Sequence, residues 1–114
     1  MPEPTTPKPF TLEIEDSGAT AIVRCHGKLL AGYTDLHVPV SHLLADHKRI
    51  ILDLSDLTHM DSMGLGALVR IYVASKNKGC ALELRNLGQK VRDLLILTNL
   101  LSAFTITGER NIRM

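Results

Sequence analysis

The residues best suited to chemistry are Asp61-Ser62-Met63-Gly64-Leu65-Gly66. A hydroxyl stands here beside a carboxylate, where an aliphatic run gives way to helical periodicity. The first N–H groups of a helix have no partners within it and attract oxygen atoms or anions. Ser62 is therefore expected as the N-cap, its oxygen accepting an N–H two or three residues on for about 1 kcal/mol. Gly64 and Gly66 each weaken a helix by about 1 kcal/mol relative to alanine. Two such losses at one helix start suggest that something must come close. A phosphate on Ser62 would add roughly −1.5 to −2 charges and three acceptor oxygens. The helix dipole tolerates that charge, while Asp61 and Asp56 oppose it. In the plainer alternative Ser62 only caps and the glycines only ease packing. The residues by themselves leave both readings open.

Other constellations are weaker. Gly64-Leu65-Gly66 is too short for a dinucleotide fingerprint, and no phosphate-loop lysine follows it. No G-x-S-x-G frame surrounds Ser62. Asp53, Asp56 and Asp61 offer carboxylates for a metal, but Asp53 sits between Leu52 and Leu54 and reads as bonding the loop after a strand. His26, His37, His42, His47 and His59 are scattered, and the five-residue spacing of three of them does not align on a helix face. The expectation is no catalytic residue, no metal site and no cofactor, hence not an enzyme. Cys25 and Cys80 lie in or beside apolar runs and read as buried free thiols, with no C-x-x-C pair.

The elements that must position Ser62 follow from periodicity. Phe10, Leu12 and Ile14 alternate with polar residues as in a half-buried strand. Asp16-Ser17-Gly18 turns the chain into a second strand at residues 19–25, making a hairpin. Gly27 and Gly32 are expected to bracket a loop. Thr34 or Asp35 would cap a helix reaching Asp46, with Leu36, Val40, Leu43 and Leu44 inward. Residues 49–54, four of them large aliphatics, fit an interior strand. Residues 56–61 read as a polar connector. The helix from Ser62 or Met63 has Leu65, Leu68, Val69, Tyr72 and Val73 as its inner side, with Lys76, Lys78 and Gly79 at its end. A strand at 80–84, a helix at 89–97 with Val91, Leu94 and Leu95 inward, and a strand at 104–106 complete the order. Leu94 to Leu101 holds five leucines, a candidate apolar contact patch.

That order predicts an α/β fold: a mixed, mostly parallel sheet of about five strands, three or four helices, and right-handed crossovers. The chain has 114 residues, enough for one core. The expected organisation is a flexible Pro-rich arm at 1–9, one domain at 10–106 and a short tail at 107–114. A net charge of +1, two Phe, two Tyr and no Trp argue against direct nucleic-acid binding. The longest uncharged stretch, residues 94–108, falls short of a membrane span, and no signal pattern opens the chain. A soluble cytoplasmic protein without membrane insertion is expected.

The stretch from Ile50 to Gly66, I-I-L-D-L-S-D-L-T-H-M-D-S-M-G-L-G, resembles the core of the STAS family, the domain of bacterial anti-sigma factor antagonists. The likeness runs over about residues 10–106, through the lysine-rich helix end and the strand Ala81-Leu82-Glu83-Leu84. What the resemblance implies is a phosphorylation-regulated binding module. Ser62, directly after the aspartate, is then the phosphoacceptor of an anti-sigma factor with serine kinase activity. The unphosphorylated form binds that kinase; the phosphorylated form does not until a phosphatase acts. Asp61, Met63, Gly64, Lys28, Leu30 and His59 are the expected partner-binding residues. Relatives often carry Ser or Thr at the position of Met63. They usually carry an acidic residue after the glycine where Lys28 stands, so the Lys28-to-Ala31 segment departs from the pattern and points to a divergent partner or a scaffold role. The alternative is a non-switching STAS scaffold or regulatory subunit in stress signalling or transport.

Overall fold

A computed structural model describes residues 10–29 and 36–107. The arm at 1–9, Leu30, Gly32, Thr34, Asp35 and residues 108–114 lie outside the described residues; the N-cap position of the first helix is Leu36, not Thr34 or Asp35, and it makes no side-chain capping bond. Strands β1 (Phe10–Ser17) and β2 (Thr20–Leu29) form the expected antiparallel hairpin, with Ser17 opposite Thr20. Asp16 accepts the N–H of Gly18 at 3.0 Å and fixes the turn. Helix α1 (His37–Asp46), strand β3 (Arg49–Met60), helix α2 (Ser62–Lys78), strand β4 (Ala81–Arg85), helix α3 (Gln89–Leu97), a 3₁₀ turn (Leu101–Ala103) and strand β5 (Thr105–Thr107) follow. The sheet order is β1-β2-β3-β4-β5, and all pairs after the hairpin are parallel.

Burial follows the pleat. Ala21, Val23 and Cys25 of β2, Ile50, Leu52 and Leu54 of β3, and Leu82 and Leu84 of β4 join one apolar cluster. Leu36, Val40 and Leu44 of the α1 segment, Leu65, Leu68 and Ile71 of α2, and Val91 and Leu95 of α3 complete it. Each fully buried aliphatic contributes about 1.5–3 kcal/mol by removal from water. The alternate positions include the apolar pair Ile22 and Ile51 and charged residues that pair across strands. Arg24 binds Glu15 at 3.0 Å, and Arg49 binds the buried Glu83.

Three expectations need correction. Strand β2 does not stop at Cys25; it continues through Gly27 and Lys28 to Leu29. Residues 56–60 are strand, not connector, because β3 runs on to Met60. The pairing shows why alternation was obscured there. Arg24 faces Asp53 and His26 faces Asp56, then Gly27 faces Leu57 and Lys28 faces His59. Strand β3 thus spends one extra residue twice against β2, and each bulge shifts the period-two pattern by one. The third correction is the phase of α2. Its buried residues are Gly64, Leu65, Ala67, Leu68, Ile71 and Ser75, while Val73 is 49% exposed. The end of α2 is as expected: Gly79 takes φ +68°, a left-handed conformation that suits glycine, and donates to the carbonyls of Lys76 and Ser75.

Candidate functional site

Helix α2 begins where β3 ends, and one residue links them. Asp61 is the N-cap: its Oδ1 accepts the N–H of Met63 at 3.0 Å and of Gly64 at 2.9 Å. This corrects the expectation that Ser62 caps. Aspartate caps as well as serine does, and its carboxylate also favours the positive end of the helix dipole. Ser62 becomes the first helical residue. Its side chain is exposed, and its hydroxyl forms no hydrogen bond with any described residue. The N–H groups of Met63 and Gly64 that follow it are already held by Asp61.

Asp61 also donates its own N–H to the carbonyl of Leu29 at 3.4 Å, tying the helix start to the end of β2. Gly64 packs against that same carbonyl and against the side chains of Leu29 and Met60. A side chain on residue 64 would overlap the Leu29 oxygen, so glycine is required by the fold itself. Gly66 differs: a Cβ there would meet nothing within 4 Å. Met63 projects outward, 57% exposed.

The strand ends bring two more expected residues alongside. Lys28 and His59 face each other in the β2–β3 register, and both are exposed. Thr58 donates its hydroxyl to the Gly27 carbonyl at 3.0 Å, and His59 contacts the Thr58 hydroxyl at 3.0 Å. Asp61, Ser62, Met63 and Gly64 therefore share one end of the sheet with Lys28 and His59. Leu30 lies outside the described residues.

Sequence reasoning missed a cluster on these strands. His26 donates Nδ1–H to Asp56 at 2.6 Å and Nε2–H to Glu13 at 2.5 Å. Both ring nitrogens are donors only in the imidazolium, and the Asp56 and then the Glu13 hydrogen bond raise the His26 pKa. These residues sit 13 and 30 positions from His26, so only the strand register reveals them. Asp53 does bond the chain that follows it, accepting the Ser55 N–H at 3.0 Å, and it takes the Asn86 amide at 3.4 Å. Burial pushes its pKa up, but these bonds outweigh that and hold it below the usual range. Among the described residues no group of His, Cys, Asp or Glu is arranged to hold a metal. Both cysteines are free and buried, and burial, with Asp53 adding to it, pushes Cys25 up to about 12. A cavity of about 130 Å³, lined by Tyr72, Ser75, Lys76, Cys80 and Leu82 among others, lies toward the opposite end of α2.

The STAS domain profile matches residues 11–111. The chain belongs to the STAS domain family. The STAS fold also recurs in solved structures. An anti-sigma factor antagonist from Mycobacterium paratuberculosis is similar at 25% identity and a TM-score of 0.71, over 90% of this chain and 88% of that one. The Bacillus cell fate determinant SpoIIAA in its phosphorylated form is similar in fold at 18% identity and a TM-score of 0.68, over 85% and 91%. A sulfate transporter family protein from Wolinella succinogenes shares the fold at 18% identity and a TM-score of 0.69, over 79% and 78%. No described helix of this STAS domain is long and apolar enough to cross a membrane.

Proposed function

We propose that this STAS domain is an anti-sigma factor antagonist controlled by phosphorylation of Ser62. In this reading the unmodified protein binds an anti-sigma factor with serine kinase activity, in the cytoplasm and without contact to nucleic acid. The kinase supplies the ATP and the chemistry, and this chain supplies the hydroxyl. A phosphatase resets it. The observation that carries the reading is a serine hydroxyl left unused at the exposed start of α2, because Asp61 does the capping. The likeness to the mycobacterial antagonist adds support.

The electrostatics favour a switch read by the partner. Asp61 already occupies the N–H groups of Met63 and Gly64, so a phosphate on Ser62 gains little from them and stands beside a like charge. It stays in solvent beside the exposed Met63 at the start of α2. Charge and bulk placed there oppose close contact with a second protein.

The test is to use the chain as bait, recover the kinase, and incubate both with ATP. Mass analysis should find one phosphate on Ser62, and Ser62→Ala should take none. A recovered anti-sigma kinase that leaves Ser62 unmodified would sink the switch. The likeness to the Wolinella sulfate transporter family protein favours a second reading, a non-switching scaffold or regulatory subunit. Recovery of a transport complex with Ser62 unmodified would support it.

A further inference from the structure

The two glycines at the start of α2 face different surroundings. The bare Cα of Gly64 is explained within the molecule by the Leu29 carbonyl. That of Gly66 is not. A Cβ on residue 66 would stand in open space, and Gly66 is not among the glycines with positive φ. Neither packing nor backbone conformation calls for glycine at this position, and glycine weakens a helix relative to alanine.

Ser62 lies four residues earlier and so shares a helix face with Gly66. Helical Cα–Cβ bonds tilt toward the N-terminus, so a side chain on residue 66 would lean back over the turn that carries Ser62. With glycine there, nothing on the helix overhangs the Ser62 hydroxyl from that side. The next residue along the same face is Arg70, one turn further off and exposed.

We infer that Gly66 is the access determinant of the Ser62 site. Its missing side chain lets the surface of a folded protein close on the first turn of α2 down to the backbone, while a longer side chain would hold that surface off. The inference rests on Ser62 being the group that a partner must reach, and it predicts a dependence on the size of what approaches. A small molecule reaches residue 62 past any side chain at residue 66; a macromolecule does so only past the bare glycine.

The experiment reads access directly. In the full chain, Ser62→Cys supplies a thiol at the site, and the unsubstituted protein, with Cys25 and Cys80 buried, is the blank. Rates are measured with iodoacetamide and with a polymer-bound maleimide. Gly66→Leu and Gly66→Gln are each added to Ser62→Cys, and Asn77→Leu at the far end of the helix is the control. Because thiol reactivity follows access, the polymer-bound reagent should slow about tenfold in both residue-66 variants, with iodoacetamide within about twofold. The Asn77→Leu control should change neither rate. Circular dichroism checks the fold; if the leucine variant unfolds, the glutamine variant decides. An unchanged ratio of the two rates in a folded variant would overturn the inference. No kinase takes part, so a chain that accepts no phosphate would refute the proposed switch and leave this result standing.

Discussion

Gly64 of α2 rests directly on the carbonyl oxygen of Leu29 at the end of β2, with no room for a side chain between them. The contact sets how close the helix start comes to the sheet. Substituting alanine forces either the helix or the strand end to move. Gly64→Ala should therefore destabilise by about 1–3 kcal/mol, the usual range for overpacking a tight site. Gly66→Ala, into open space, should stabilise by about 0.5–1 kcal/mol. Urea unfolding of the two variants checks both signs, and equal effects would contradict the assignment.

Capping by Asp61 gives a second expectation. Asp61→Ala should cost about 0.5–2 kcal/mol, and Asp61→Ser should recover most of it. Ser62→Ala should stay within about 0.5 kcal/mol of the parent, since its side chain is exposed and caps nothing. Thermal melts of the three variants are sufficient. A larger loss at Ser62 than at Asp61 would reverse the roles.

The effect of pH follows from two histidines. His26 is raised by Asp56 and Glu13. His47 donates to the Leu43 carbonyl at 2.9 Å and pairs with Asp16 at 3.2 Å, and these contacts raise it in that order. A group whose pKa is higher folded than unfolded contributes stability below its unfolded pKa, near 6.5, and loses it as pH rises through the folded value. The urea midpoint should fall as pH rises from about 6.5 into the alkaline range. His26→Gln together with His47→Gln should flatten that fall. A midpoint that climbs over this interval in the parent would contradict both pairings.

Thiol chemistry gives a fourth. With Cys25 pushed up to about 12 and Cys80 also raised, each by burial, neither should react with a disulfide reagent near neutral pH until the protein unfolds. Rapid labelling of either thiol in the native protein would contradict the core as described.

The sequence carried the fold clearly where one period ruled. The hairpin, the interior strand from Arg49, and the third helix with Val91 and Leu95 inward were legible because polar and apolar residues repeat there at a constant interval. Residues 56–60 were not, because two bulges break alternation without leaving a composition signal. The inner face of α2 was misphased by the runs Leu68-Val69 and Tyr72-Val73, where adjacent apolar residues fit two faces equally. At the site, Asp61 and Ser62 were both visible, but either can cap, and only the hydrogen bonds to Met63 and Gly64 distinguish them. His26, Glu13 and Asp56 meet only through strand register, which no local spacing encodes.

The two surplus residues of β3 make its length a spacer for everything beyond it. Removing one residue between Asp53 and His59 would turn the strand's tip to its other side. Met60 would then leave its seat beneath the helix, and Asp61 would lose its line to Leu29. The bearing of Ser62 is set by how many residues precede it as much as by which ones they are. A protein of this fold with a bulge-free third strand would need a compensating change at the strand-to-helix junction to hold its serine in the same direction.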